Sequence, residues 1–308
     1  MITKEYITEL KKLIDQRKPK ARKIVRRTAF TSSQNTVILD NSTAVIGERI
    51  NPTGKKRLKE ALRTKDYGYI MSEAISQTEH GADILDVNAG LPEIDEKETL
   101  VKLVKEIQAV TPLPLQIDSS DEKAVEAACR VYNGKPIINS VNGKKDSLEK
   151  ILPIAKKYGA AVVGLTLDEN GIPDTAAGRV KIAEKIVNEA EKYGIAKEDI
   201  LIDCLVLTAS TNQQMVMETL SAIKEVKRTL GVKTVLGVSN VSFGLPDREL
   251  INSAFLAAAF GAGLDMPILG PLSEKYMGIV NAFKALNNED ENSEKFIAAY
   301  GEKTAVAA

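Results

Sequence analysis

The sequence predicts one (βα)8 barrel preceded by a short basic N-terminal extension. Eight short apolar runs recur at intervals of 21 to 39 residues, and amphipathic helical stretches separate them. Apolar runs that alternate with helices indicate parallel strands buried on both faces. Eight such βα units are the number that closes a barrel. A doubly wound open sheet is the rival fold, but it would need a glycine-rich phosphate turn after an early strand, and the sequence has none.

The eight runs define the barrel and its boundaries. They are TAVIGE (43–48), ADILDVN (82–88), PLQID (114–118), KPIINS (135–140), AAVVGLT (160–166), DILID (199–203), KTVLGVSN (233–240) and LDMPILG (264–270). Asp121 and Ser147 have the character of helix N-caps, and Gly159 that of a helix end. We therefore expect the barrel to occupy residues 43–290, followed by a C-terminal tail over residues 291–308.

The first 42 residues differ from the rest in composition. Residues 1–27 carry ten lysines and arginines against three acidic residues. Tyr6, Leu10 and Leu13 share one face at helical spacing, which predicts a short helix followed by a linker up to residue 42. The basic run is typical of a solvated surface, with a docking surface for an acidic partner as the alternative. No aromatic residues are interleaved with it, as nucleic-acid binding would favour.

Overall composition excludes several classes of function. The chain has 42 basic and 42 acidic residues, so no global charge favours nucleic acid or a membrane surface. Two cysteines and one histidine exclude a disulfide scaffold, a four-cysteine zinc site and a Ser-His-Asp triad. The longest apolar run, residues 254–264, is too short to span a bilayer, and the N-terminus has no apolar signal core. These features predict a cytoplasmic protein.

Polar residues end nearly every predicted strand. Strands one to four, six and seven end in polar residues, which are Glu48, Asp86, Asn88, Asp118, Asn139, Asp203 and Asn240. In a (βα)8 barrel these ends converge on the face that carries the active site. A single Asp after a strand is usually a helix N-cap, but this number of polar strand ends predicts a shared polar pocket.

The distribution of carboxylates predicts the class of ligand. Metal sites for magnesium or calcium cluster carboxylates at short spacing, whereas here they are spread one per strand. We therefore expect no metal bound by this chain. The spread suits a planar polar ligand across the barrel mouth, and a pterin ring is such a ligand. One carboxylate can accept hydrogen bonds from both its 2-amino group and N3–H, and asparagine amides match its 4-oxo group and ring nitrogens.

Six motifs in order along the chain then identify a resemblance. They are GERINPTG (47–54), DILDVNAG (83–90), QIDSSD (116–121), INSVNG (138–143), LIDCLV (201–206) and GVSNVSFGLPDR (237–248). The sequence resembles, over residues 44–285, the pterin-binding methyltransferase family. That family includes methyltetrahydrofolate:corrinoid-protein methyltransferases and the folate domain of cobalamin-dependent methionine synthase. The resemblance implies a TIM barrel of the dihydropteroate-synthase type.

The resemblance also implies roles for individual residues. Asp118, Asn139 and Asp203 match positions that hold the pterin ring. Asn240 matches the asparagine that hydrogen-bonds N5, the atom that loses its methyl group, and is the expected catalytic residue. The remaining expected substrate-binding residues are Glu48 and Asn51 along the pocket, Asp86 and Asn88 on its floor, and Arg248 near the folate. Phe243 stands where some relatives have a polar residue, so contacts to the folate tail differ here.

The implied reaction moves the methyl group from N5 of methyltetrahydrofolate to a Co(I) corrinoid. The chain has no histidine loop to bind the corrinoid, so the resemblance implies a separate corrinoid protein or domain as partner, and relatives suggest a homodimer. One alternative is an excised folate domain of a methionine synthase. The other, dihydropteroate synthase, should carry a Gly-x-Ser-Arg-Lys motif at strand seven, where this sequence has GVSNVS.

Overall fold

Eight parallel strands close into a barrel in this computed structural model, which describes residues 3–17 and 25–305, the last four as backbone only. The predicted fold class is confirmed. The strands are β1 (Ala29–Thr31), β2 (Thr36–Ile38), β3 (Ile46–Ile50), β4 (Ile84–Asn88), β5 (Leu115–Asp118), β6 (Ile137–Asn142), β7 (Ala161–Leu165), β8 (Ile200–Asp203), β9 (Lys233–Gly237) and β10 (Met266–Leu269). Strands β3 to β10 pair in chain order, and β10 pairs with β3 to complete the ring.

Helices connect the strands and cover the outside of the barrel. They are α1 (Lys4–Asp15), α2 (Lys56–Thr64), α3 (Tyr67–Glu79), α4 (Glu96–Val110), α5 (Glu122–Val131), α6 (Lys145–Tyr158), α7 (Ala176–Lys192), α8 (Ala209–Asn212), α9 (Met215–Leu230), α10 (Arg248–Ala262), α11 (Glu274–Leu286) and α12 (Glu294–Ala305). Asp121 caps α5 through its side chain, as predicted. Ser147 is not an N-cap, because α6 begins two residues earlier and the Ser147 hydroxyl accepts from the Asn142 amide instead.

Two separate hydrophobic cores explain why the strands are apolar along their whole length. One core lies between the strands and the surrounding helices. The other fills the barrel interior, where Ile46, Ile84, Ile137 and Val235 pack together. Successive side chains of a strand point to opposite faces, so each strand needs apolar residues toward both cores. Most polar residues therefore lie near the strand ends, and Gln116 within β5 and Thr234 within β9 are buried exceptions.

The segment predicted to be a linker closes the N-terminal end of the barrel. Strands β1 and β2 form an antiparallel hairpin, and Phe30 is fully buried in the interior core. Thr31 and Lys135 exchange backbone hydrogen bonds of 3.0 Å, which fastens the hairpin to the start of β6. A side chain at Gly134 would collide with the Thr31 carbonyl, since an added Cβ would lie 2.3 Å from it. The linker prediction is wrong here because the hairpin packs Phe30 against the apolar residues of the interior core, which would otherwise be open to solvent at this end.

The two chain ends differ from each other. The predicted helix near the N-terminus is present as α1, with every one of its residues exposed. Much of the basic run that follows it, residues 18–24, lies outside the described residues. The C-terminal segment predicted to be a tail instead forms α12, whose first turn is held by hydrogen bonds from the Lys295 and Phe296 amides to Asp290.

Candidate functional site

The C-terminal ends of the barrel strands surround one open cavity of about 400 Å³. Eight of the nine site residues predicted from the sequence line it: Glu48, Asn51, Asp86, Asp118, Asn139, Asp203, Asn240 and Arg248. The ninth, Asn88, does not line the cavity but hydrogen-bonds to Asp118 from the end of β4. A cavity of this size suits a small planar ligand. The structure therefore brings the predicted residues together, and their roles remain predictions.

Asp86 and Asp118 form a carboxylate pair on one side of the cavity floor. The Asn51 amide donates to both, at 3.0 Å to Asp118 and 3.4 Å to Asp86, and the buried Gln116 donates to Asp86 at 2.8 Å. Burial raises the pKa of Asp86 to about 6. Burial and the adjacent negative charge of Asp86 raise the pKa of Asp118 well above its ordinary value. Two carboxylates this close favour holding a proton, or a ligand that donates to them.

Asp203 is almost completely buried at the end of β8. Its side chain accepts hydrogen bonds from the backbone amides of Leu205, at 2.7 Å, and Gly237. Burial nevertheless raises its pKa to about 7. The fully buried Arg179 lies behind this turn and donates to the carbonyls of Cys204 and Leu205, which fixes the turn's backbone. Asp203 is thus an oriented acceptor that lacks an ion-pair partner among the described residues.

Asn240 lies in a 3₁₀ turn, Val238–Ser242, directly after β9. Its side chain is exposed at the cavity wall, and no hydrogen bond to it is found within the described part of the chain. Arg248 braces this turn by donating to the Ser239 carbonyl at 2.9 Å and to the Ser242 hydroxyl at 3.0 Å. Its guanidinium also stacks on the Phe243 ring, 4.4 Å from the centroid. Asn240 therefore presents a free amide on a fixed backbone.

Sequence reasoning missed two residues beside Glu48. The Ser239 hydroxyl donates to the Glu48 carboxylate at 2.9 Å. Lys55 lines the cavity, and its ammonium donates to the backbone carbonyls of Glu48 and Asn51 at 3.1 and 3.2 Å. Both residues lie inside the quoted motifs or one position beyond them. Their polar side chains could have indicated a place in the pocket, but only the fold shows which group each of them contacts.

The cavity has an uneven distribution of charge. Asp86, Asp118 and Asp203 form no ion pair with any lysine or arginine in residues 3–17 and 25–305, whereas Lys55 and Arg248 lie on the side of β3 and β9. Acceptors without charged partners favour a ligand edge rich in N–H donors. The described ranges contain no group of three or more His, Cys, Asp or Glu side chains placed to hold a metal ion. They also contain no helix long and apolar enough to cross a membrane.

Comparison with known proteins identifies relatives of two sizes. The chain is 36% identical over 241 residues to the methionine synthase of Mycobacterium leprae, covering 74% of this chain and 20% of that protein. The Mycobacterium tuberculosis methionine synthase is 37% identical over 243 residues, with 75% and 20% covered. The chain thus spans about a fifth of the length of these two curated relatives. The methylcorrinoid:tetrahydrofolate methyltransferase of Eubacterium limosum is 32% identical over 263 residues, with 83% of this chain and 95% of that protein covered.

Solved structures with the same fold include dihydropteroate synthases. The enzyme from Xanthomonas albilineans in complex with 7,8-dihydropteroate matches with a TM-score of 0.62 at 20% identity, covering 84% of this chain and 98% of that one. The enzyme from Thermus thermophilus matches with a TM-score of 0.60 at 18% identity, covering 84% and 99%. At this identity the likeness shows the shared barrel alone.

A family model settles the family predicted from the six motifs. The model described as pterin binding enzyme matches residues 47–269, which run from the start of the mouth residues on β3 to the end of β10. The match includes the whole cavity wall, and the prediction of an enzyme agrees with it. By this match and by its relatives at more than 30% identity, the chain belongs to the pterin-binding enzyme family.

Proposed function

We propose that this protein transfers a methyl group between N5 of tetrahydrofolate and a corrinoid carried by a separate protein or domain. One observation carries the proposal: within the described residues, the cavity combines buried aspartates, which form no ion pair, with an asparagine amide on the opposite wall, which makes no hydrogen bond. Support for the chemistry comes from relatives named methionine synthase and methylcorrinoid:tetrahydrofolate methyltransferase. The name of the Eubacterium limosum enzyme describes transfer from a methylcorrinoid to tetrahydrofolate, so the proposal covers both directions of transfer.

In the proposed complex the pterin ring lies across the mouth with its donor-rich edge toward the carboxylates. Asp118 accepts from the 2-amino group and N3–H, Asn139 on the neighbouring strand binds the 4-oxo side, and Asp203 accepts from the remaining donors. Strands β5 and β9 lie four places apart in the ring of eight, so Asp118 and Asn240 face each other across the barrel. A ring held at one edge by Asp118 would bring N5 at its far edge to Asn240.

Asn240 is the proposed catalytic residue. A tertiary amine is a poor leaving group, so N5 needs a stronger hydrogen bond as its bond to the methyl carbon breaks. An amide can donate or accept, so Asn240 can follow N5 through both protonation states. An interaction that strengthens toward the transition state accelerates the chemical step. Its exposure at the mouth leaves the methyl group accessible to a partner that approaches from solvent.

A spectroscopic assay tests the proposal. The protein is mixed with methyltetrahydrofolate and free cob(I)alamin, which stands in for the partner's corrinoid, and the cobalt absorbance is followed. We expect conversion to methylcobalamin at a rate proportional to protein concentration. A reaction no faster than the protein-free mixture, under conditions where calorimetry shows bound folate, would contradict the proposed transfer.

A further inference from the structure

We infer that Glu48 is the acid that supplies the N5 proton during methyl transfer, with Ser239 holding its carboxyl group beside Asn240. This inference rests on the proposed function and names a second catalytic residue for it. The sequence resemblance assigned Glu48 only to the lining of the pocket. The hydrogen bond between Glu48 on β3 and the turn after β9 supports the further role of an acid.

Methyl transfer requires a proton for N5, and neither methyltetrahydrofolate nor the Co(I) corrinoid supplies it. When the methyl carbon bonds to cobalt, the pair of electrons of the N5–CH3 bond remains on N5. A proton from the Glu48 carboxylic acid is transferred to N5 as that bond breaks, which gives N5–H, and Glu48 is left as a carboxylate that is reprotonated from solvent. In the reverse direction the Glu48 carboxylate accepts the N5 proton as the methyl group bonds to N5 and the corrinoid leaves as Co(I). An asparagine amide can stabilise this charge but cannot deliver a net proton, so Asn240 needs an acid near it.

Position favours Glu48 as that acid. Its carboxyl group accepts from the Ser239 hydroxyl at 2.9 Å, and Ser239 directly precedes Asn240 in the 3₁₀ turn. Both Glu48 and Asn240 line the same cavity wall. Arg248 donates to the Ser239 carbonyl at 2.9 Å, so the turn that links Glu48 to Asn240 is held from both sides.

The surroundings of Glu48 suit a group that alternates between acid and carboxylate. Desolvation raises its pKa above the ordinary value and so favours the acid form. Positive charges on Lys55, Arg248 and Arg49 act in the opposite direction and would stabilise the carboxylate left after transfer. Two further titratable groups face it from neighbouring elements, Asp86 at the end of β4 and Tyr276 on α11.

The other carboxyl groups of the cavity are less suited to this role. Asp203 already accepts from two backbone amides, Leu205 and Gly237, and these bonds favour its carboxylate form although burial raises its pKa to about 7. Asp118 lies across the barrel from Asn240 and is paired with Asp86 and Asn51. Glu48 is thus the carboxyl group linked through a single side chain to the turn that carries Asn240.

The test compares pH profiles of the methyl-transfer rate at saturating methyltetrahydrofolate with cob(I)alamin as acceptor. In the wild-type protein the rate should fall as the pH rises through the raised pKa of Glu48. Glu48→Gln keeps the size of the side chain but removes the acid, so we expect a loss of about 10²-fold, with that fall absent from the profile. The exposed Glu60→Gln on α2 is the matched control and should keep the wild-type profile.

Two further measurements separate an acid from a structural role. Ser239→Ala removes the hydrogen bond that lowers the pKa of Glu48, so the midpoint of the profile should move to higher pH. Infrared difference spectra of the folate-free protein between low and high pH should show one carboxyl group fewer losing its proton in Glu48→Gln than in wild type. If folate-bound Glu48→Gln keeps the wild-type rate or the wild-type midpoint, Glu48 is not the acid. The wild-type protein's formation of methylcobalamin would still stand in that case, so the two failures are distinguishable.

Discussion

The two ends of the barrel each bury an aspartate to the same extent and treat it in opposite ways. Asp265 at the N-terminal end and Asp203 at the mouth are both 8% exposed. Asp265 receives hydrogen bonds from Lys227 at 2.7 and 2.8 Å, from Lys233 at 3.3 Å and from the Thr234 amide. Among the described residues, Asp203 accepts hydrogen bonds from backbone amides alone, and burial raises its pKa to about 7.

This difference distinguishes a carboxylate that stabilises the fold from one that is available to bind a ligand. A buried charge is tolerated when the fold itself supplies cations and donors, as it does for Asp265. Where the fold supplies no cation, burial of the carboxylate destabilises the ligand-free protein. A ligand that brings hydrogen-bond donors offsets this destabilisation. In the same way, the N-terminal end is closed by the Phe30 hairpin, whereas the mouth stays open. Stability is therefore concentrated at one end and binding at the other.

Phe30→Ala should have the largest effect, and on stability alone. Removing a fully buried aromatic ring from the interior core should lower the free energy of unfolding by about 3–5 kcal/mol. Ile38→Ala on the same hairpin is the matched control, because Ile38 is 40% exposed and should change stability by less than about 1 kcal/mol. Urea unfolding measures both. Equal effects of the two substitutions would show that the hairpin does not plug the barrel.

Asn240→Ala should have the next largest effect, and on rate alone. Loss of one donor that strengthens in the transition state typically lowers the rate about 10²–10³-fold. Affinity for methyltetrahydrofolate should change little, because the hydrogen bond to methylated N5 is weak in the ground state. Single-turnover kinetics at saturating folate measure the rate, with the exposed Asn170→Ala as control. A normal rate at saturation with reduced affinity would make Asn240 a binding residue only.

Asp203→Asn should weaken binding and strengthen the folate-free protein. Loss of a charged acceptor should reduce folate affinity by about 1.5–3 kcal/mol. Since the folded-state pKa lies above the ordinary value of 3.8, the folded state holds its proton more tightly than the unfolded state. Asp203 therefore destabilises the fold as the pH rises from about 4 to about 7, and the asparagine variant should melt at a higher temperature than wild type at pH 8.

Asp265→Asn is the matched variant at the other end of the barrel. It leaves Lys227 and Lys233 without their carboxylate, so its melting temperature should fall while its folate affinity stays at the wild-type value. Calorimetric titration and thermal melts of both variants decide the comparison. If both aspartates shift stability in the same direction, the contrast between the two ends is wrong.

The smallest expected effect is proton release on binding. Asp203 and Asp86 have pKa values of about 7 and about 6, so part of each population is protonated near neutral pH. N–H donors of the ligand bind the carboxylate form, which expels that proton. Affinity should therefore increase as the pH rises from about 6 to about 8. Calorimetry in two buffers with different ionisation heats measures the released protons, and proton uptake would contradict the proposed orientation of the ring.

The regular recurrence of apolar runs made the barrel predictable from the sequence. The polar residues at the ends of these runs made most of the residues at its mouth predictable. Each strand is a continuous apolar run, and its polar residue enters at the point where burial ends, so the signal is local. The hairpin was missed because β1 and β2 are only three residues each, within a segment rich in Ser, Thr and Asn. Phe30 is the main clue in that segment, and one buried residue does not establish a period.

Contacts between side chains of different strands could not be predicted in this way. The hydrogen bond between Ser239 and Glu48 joins residues 191 positions apart, and Gln116 reaches Asp86 from a neighbouring strand. The sequence indicates which residues lie at the mouth, but the closure of the barrel determines which of their side chains contact each other.

A crystal structure of the protein with bound methyltetrahydrofolate tests the central claim most directly, because that claim assigns each side of the mouth to one edge of the pterin. We predict that the 2-amino group and N3 lie within hydrogen-bond distance of Asp118, with Asp203 accepting from the ring. N5 should lie beside the Asn240 amide with its methyl group facing the open mouth. A pterin ring turned so that N5 faces Asp118, or bound outside the strand ends, would contradict the account.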